Sequence, residues 1–251
     1  AAWIVDKFDD IKVIRYEVPG FEALTLEEKE LIYYPSEAAK CGRDILFDQN
    51  FKYNLAVRRT LESIYTAAEV REGDEFKAFE KYLKKVWFAN GIHHHYSNDK
   101  FKPEFTEDWF REQLAKYINE ENRQIEDDLL CKIIFDETLY ASRLNQTAGV
   151  DVITSSANNY YEGVNQAEVE AFYAGMAAKD AGNPEPISYG LNSKLMKDAS
   201  GKIYEKVWND PAYGSESTVA VHIRHLREKI EIDPANPRWL KVVWGLGYKM
   251  E

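Results

Sequence analysis

The residues able to do chemistry fall into a few short stretches. His93, His94 and His95 are consecutive, His222 and His225 are three apart, and these are the five histidines of the chain. Imidazole ligates metals and carries protons near neutral pH. Consecutive side chains point in different directions, so at most two of the first three could converge on one ion. A packed, hydrogen-bonded loop is therefore preferred to a metal site at His93, His94 and His95, and no cofactor is expected in this chain. Asn158, Asn159, Tyr160, Tyr161 and Glu162 group amides, phenols and a carboxylate. That set suits a polar cleft wall facing a substrate's backbone, or a helix-capping loop with solvent-facing tyrosines. Glu120-Glu121 and Asp127-Asp128 read as solvated helix faces rather than acid/base pairs. Cys41 and Cys131 lie far apart in helical patterns and read as two buried thiols rather than a disulfide or metal pair.

These groups must be positioned by a mostly helical chain. Ile11–Val18 alternates with β-branched residues and predicts a strand, ended by Pro19-Gly20. Thr25-Leu26-Glu27-Glu28 is a capping box that opens a helix running to about Phe47, with Pro35 a candidate interruption. Tyr53, Val57, Leu61, Ile64 and Tyr65 share one helical face, and so do Phe76, Phe79, Tyr82, Leu83 and Val86. After a polar, aromatic loop (90–105), helices are predicted from Thr106 to Ile118, over 126–144 and over 166–180, with a loop at 155–164. Ser188–Trp208 alternates about Asp198–Gly201 and predicts a hairpin. A last helix over 217–230 carries Val219, Ile223, Leu226 and Ile230 on one stripe, and a final hairpin joins Trp239–Val243 to Tyr248–Met250. No segment approaches the ~18 apolar residues of a membrane span.

Apolar residues make up 45% of the chain, enough for a sizeable core, and the net charge of −11 lies wholly in residues 1–208, because six basic and six acidic residues balance from Asn209 on. An acidic body repels nucleic acid and tolerates a cationic group such as a peptide's amino terminus. The N-terminus lacks a basic flank and an apolar run, so the cytoplasm is the expected compartment.

Three ordered stretches, VWFANGIHHHYSNDKFKP (86–103), NNYYEGVNQAEVEAF (158–172) and SYGLNSKLMK (188–197), together with DKFDDIKVIRYEVPGF at the start, resemble the N-terminal part of dipeptidyl-peptidase III, a zinc exopeptidase family, in its Bacteroidetes form. The resemblance covers residues 1–208. It implies a substrate-cleft wall on a strand-bearing scaffold and peptides as partners. That family holds zinc through His-Glu-x-x-Gly-His, in which two imidazoles meet one ion and the glutamate polarises its water. None of the five histidines sits in such a motif, so the resemblance implies a lobe without hydrolytic activity.

Residues 205–251 resemble the C-terminal part of a PhoB/OmpR-type response-regulator winged helix, most closely over SESTVAVHIRHLREKIEIDPANPRWLKVVWGLGYKM (215–250). Carried over by position, Thr218, Arg224 and Arg227 would contact phosphates or orient the helix. Val221, His222 and His225 would face base edges, and Lys241 and Lys249 would lie near the wing's phosphate contacts. His225 stands where that family commonly has arginine. The alternative is a surface helix folded onto the body. No receiver domain is visible. The expected fold is thus α+β and mainly helical: a helix-rich lobe with few strands (1–208), then a helix and hairpin forming a partial winged helix (209–251). Two functions are carried forward. One is a truncated peptidase-like lobe that at most binds peptides, fused to a foreign tail. The other is a DNA-binding transcriptional regulator acting through 215–250 on double-stranded DNA.

Overall fold

Apolar spacing becomes buried stripes along two helices, and these organise the body. The computed structural model describes residues 3–179, 181–182, 194–206, 227, 230–231, 233, 235–243 and 247–250. In chain order the elements are β1 (Ile4–Phe8), β2 (Ile11–Ile14), a 3-10 turn (Phe21–Ala23), α1 (Leu26–Cys41), α2 (Arg43–Asn50), α3 (Asn54–Ala67), α4 (Asp74–Ala89), α5 (Glu107–Tyr117), α6 (Asp127–Phe135), β3 (Tyr161–Glu162), α7 (Gln166–Lys179), β4 (Lys194–Lys197), β5 (Ile203–Lys206), β6 (Leu240–Val243) and β7 (Gly247–Met250). The described chain is α+β and rich in helix. It divides into two compact units, Ala1–Glu205 and Lys206–Glu251.

In the first unit, Val57, Leu61 and Ile64 of α3 and all five expected positions of α4 are buried. They meet Phe47, Phe110, Leu114, Leu130, Ile133 and Ile134 in one core. Its aromatic centre packs edge-on or tilted: Phe79 lies 5.7 Å from Phe105 and 5.6 Å from Trp109, centroid to centroid, the geometry ring quadrupoles favour. The capping box forms as read, with Thr25 Oγ1 accepting from Glu28 N and Thr25 N donating to the Glu28 carboxylate. A hairpin of β1 and β2 replaces the single strand expected over 11–18. Lys84 and Lys85 of α4 tie it down through Asp6 at 3.0 Å and Asp9 at 2.6 Å.

Three expectations are corrected. Helix α1 continues through Pro35 and ends at Gly42, where α2 begins. Cys41 is exposed, whereas Cys131 is buried as expected. The run predicted as helix over 126–144 stops at Phe135. There, Asp136 Oδ1 accepts from Thr138 N at 2.9 Å and Leu139 N at 3.2 Å, offering the backbone an alternative to the helix. The Lys100 ammonium then takes the carbonyls of Ile133, Asp136 and Leu139. Tyr140 follows at φ 53°, outside helical space. Periodicity alone does not show a distant lysine capping a helix.

A smaller sheet of order β3-β4-β5 has a parallel β3–β4 pair, Tyr161 opposite Leu195. Leu195 packs there with Val164, Val169 and Ile203. The Asp198 carboxylate closes the β4–β5 turn by accepting from Ser200 N and Lys202 N, as the hairpin reading required. In the second unit, β6 and β7 form the expected antiparallel hairpin. No described helix is long and apolar enough to cross a membrane.

Candidate functional site

The C-terminal hairpin is built from a buried carboxylate outward. Glu231 is 8% exposed, and its two oxygens accept the backbone N–H groups of Arg238 and Trp239, each at 2.8 Å. Asp233 accepts from Ala235 N at 3.0 Å and Asn236 Nδ2 at 2.8 Å. These bonds, led by that of the Asn236 amide, hold its carboxyl below the usual aspartate range. Together the two carboxylates shape the Pro/Asn-rich turn that leads into β6. The register pairs Leu240 with Met250, Lys241 with Lys249, Val242 with Tyr248 and Val243 with Gly247. Two of the expected DNA-contact positions, Lys241 and Lys249, thus stand opposite one another on adjacent strands. Arg227 is half-buried, and its carbonyl accepts from Glu231 N at 2.9 Å. Thr218, Val221, His222, Arg224 and His225 lie outside the described residues. Arg238, whose guanidinium sits 5.5 Å from the Trp239 ring centre, is a further cation at the start of the hairpin. Sequence reasoning did not single it out, although its place just before a Lys-bearing strand was a usable signal.

In the body, the expected cleft residues separate into two groups. Asn158, Tyr160 and Tyr161 line a groove of about 400 Å³ together with Asn50, Asn98, Arg143, Leu144, Val152 and Ile153. Asn158 holds its floor, its N and Nδ2 both donating to the Arg143 carbonyl at 3.1 and 3.2 Å. Asn159 and Glu162 have structural partners instead. Asn159 accepts from Lys194 Nζ at 2.7 Å and donates to Asp48 at 3.4 Å, and Glu162 pairs with Lys194. Burial raises the Tyr161 phenol above its ordinary pKa. Arg143, Asn98 and Asn50 were missed in the sequence, Arg143 because it fell in the over-long helix prediction.

The histidine loop is a packing device. His93 is 2% exposed, and its Nε2 lies 2.8 Å from the Tyr140 carbonyl. His94 Nδ1 accepts from Tyr96 N and Ser97 N, both at 3.2 Å. The His94 and His95 rings lie 4.5 Å apart at 30°, and His95 also packs edge-on against Phe88. With His93 committed through Nε2 and His94 through Nδ1, the three rings do not present a converging ligand set. Among the described residues no three His, Cys, Asp or Glu side chains could hold a metal ion.

Residues 199–250 match the family model described as the C-terminal part of transcriptional regulatory proteins. The chain is 59% identical over 58 residues to the transcriptional regulatory protein YvrH of Bacillus subtilis, which is 23% of each chain. It is 44% identical over 54 residues to the regulatory protein VanR of Enterococcus faecium (21% of this chain, 23% of that one). It is 40% identical over 79 residues to the sensory transduction protein RegX3 of Mycolicibacterium smegmatis (28% and 35%). The chain thus spans about a quarter to a third of the length of these relatives. The matches support the second resemblance at the level of the C-terminal regulatory segment. They favour the regulator reading over the peptidase-like one and give the first resemblance no support.

Proposed function

We propose that residues 199–250 serve a transcriptional regulator by binding double-stranded DNA. The segment predicted as a helix over 217–230 would enter the major groove, and the β6–β7 hairpin would meet the phosphate backbone. The observation that carries this reading is the match over 199–250 combined with the hairpin register, which sets Lys241 opposite Lys249. The test is duplex binding by the whole chain at a series of salt concentrations. Phosphate neutralisation gives a linear fall of log affinity with log salt, and Lys241→Gln lowers the slope by about one without changing sequence preference. Absence of binding at low salt overturns the reading.

The body supports a second reading, peptide binding. Its specific observation is that three residues expected in a cleft wall, Asn158, Tyr160 and Tyr161, do line one groove. The sequence holds no His-Glu-x-x-Gly-His, so this reading is of binding and not of hydrolysis.

A further inference from the structure

The groove in the body is built around a fixed cation. Arg143 is anchored through its backbone on both sides. Its N donates to the Asn98 carbonyl at 2.8 Å, and its carbonyl accepts twice from Asn158. The guanidinium is then clamped. Nε and Nη2 both reach Asn98 Oδ1, at 3.0 and 2.8 Å, Nη1 reaches Asn50 Oδ1 at 3.2 Å, and Nη2 reaches the His95 carbonyl at 3.4 Å. Asn98 is itself held at φ 65°, a left-handed conformation that asparagine tolerates. Asn50 is fixed from its other end, its Nδ2 donating to the Asn90 carbonyl at 3.0 Å.

All the acceptors in this clamp are neutral, so they orient the guanidinium without cancelling its charge. The four bonds also leave one of its five N–H groups, on Nη1, without an acceptor among the described residues. Two carboxylates adjoining the groove's lining residues in sequence have other partners. Glu162 pairs with Lys194, and Asp151 accepts the backbone N–H groups of Ile153, Thr154 and Gln166. Leu144, Val152 and Ile153 give the groove an apolar side and Tyr160 and Tyr161 an aromatic one. Sites of this kind, with apolar and aromatic walls and a small number of placed polar groups, are where small ligands bind.

We propose that this groove binds a carboxylate that carries an apolar group, with Arg143 as the anion's partner and the Leu144–Ile153 wall taking the apolar part. A peptide's C-terminal residue and a free aliphatic acid share that chemistry. The proposal deepens the peptide reading of the body and is independent of DNA binding. A guanidinium held by neutral oxygens is preorganised, so less entropy is lost when the anion arrives than for a free side chain.

The experiment titrates the whole chain with N-acetyl-glycyl-leucine as the free acid, with the same peptide amidated, and with isocaproate, by calorimetry or amide chemical shifts. The expected result is binding of the free acid at least about tenfold tighter than of the amide, as a charge-assisted bond requires, with the loss reproduced by Arg143→Gln and shifts confined to residues around the groove. Isocaproate binding as tightly as the peptide acid identifies a small-acid site, and much weaker binding identifies a peptide C-terminus; both support the carboxylate assignment. Equal binding of acid and amide overturns it while leaving the peptide reading standing. Binding of neither overturns both. The comparison of acid with amide needs no variant, so it holds even if Arg143→Gln fails to fold.

Discussion

Acidification should destabilise the body through His93 before it acts through carboxylates. Its Nε2 donates to the Tyr140 carbonyl, so the neutral ring leaves Nδ1 unprotonated, and that atom is buried without a partner. Charging the ring means placing a cation beside the Phe51 ring, 5.7 Å away, and near the like charges of Lys100 and Arg143. Burial, the largest cause, lowers the His93 pKa from 6.5 to about 4. The unfolded chain therefore binds a proton that the folded chain refuses between those values. The stability this confers on the neutral form is whole above the unfolded pKa and falls as pH drops toward the folded one. Linkage at 1.36 kcal/mol per unit gives a loss of about 2 kcal/mol between pH 7 and about pH 5, and about 3 kcal/mol by about pH 4. Carboxylates held low, such as Asp9 by Lys85 and Asp44 by Arg58, lose their contribution mainly as pH falls through the ordinary carboxylate value of about 4 and below it, so most of the His93 decline comes first. The assay is urea unfolding at several pH values for the native chain and for His93→Gln, which keeps a donor for Tyr140 but has no proton to gain. The variant should lack the 2 kcal/mol decline. The same decline in both proteins, or an NMR titration midpoint for His93 above about pH 6, would refute the reasoning.

Gly91→Ala should be among the most damaging small substitutions. Gly91 sits at φ +148°, and an added Cβ would lie 2.1 Å from Asn54 Nδ2. Asn54 is fully buried and bonds the Phe47 carbonyl and Ile92 N, so it cannot yield without orphaning polar groups. The expected cost is about 3 kcal/mol or more, read as a lower denaturation midpoint at unchanged slope. Thr106→Ala removes the cap of α5, where Oγ1 accepts from Trp109 N and donates to Glu75, and should cost about 1–2 kcal/mol in the same assay. Helix α1 buries none of its 16 residues and contains Pro35. Its amides should exchange with solvent orders of magnitude faster than those of α4, and exchange at the rate of global unfolding would contradict this.

Where burial follows from local periodicity, the sequence was legible. The stripes of α3 and α4 are read directly from residue spacing, and the Thr25 and Thr106 caps follow from short-range hydrogen-bond chemistry. The C-terminal hairpin and the Asp198 turn were also readable, because strand alternation and turn residues are local signals. Among the misses, the end of α6 and the clamp on Arg143 are features made by partners distant in sequence. The end of α6 depends on Lys100, more than thirty residues upstream. The clamp on Arg143 draws Asn50 and Asn98 from two other segments, 93 and 45 residues away. Of the cleft residues named from the sequence, Asn158, Tyr160 and Tyr161 line the groove, but the charged group that would select a ligand is one the sequence did not single out. A guanidinium surrounded by neutral amides has no sequence signature, since asparagines at those spacings are ordinary loop residues.

The stretch shared by the two halves bears on where DNA recognition can reside. The regulatory match begins at residue 199, whereas Ile203–Lys206 forms strand β5 beside β4 in the body's small sheet. The same residues thus fall both within the regulatory match and within that sheet, where local tertiary contacts hold them as a strand. Ile203 packs against the Leu195–Val164–Val169 cluster, and the Asp198 turn directs the chain back along β4. Strand propensity of β-branched and aromatic residues makes that choice inexpensive. In this fold Ile203–Lys206 therefore serve as a strand of that small sheet, and the elements proposed to touch DNA, the run 217–230 and the β6–β7 hairpin, follow it in the chain.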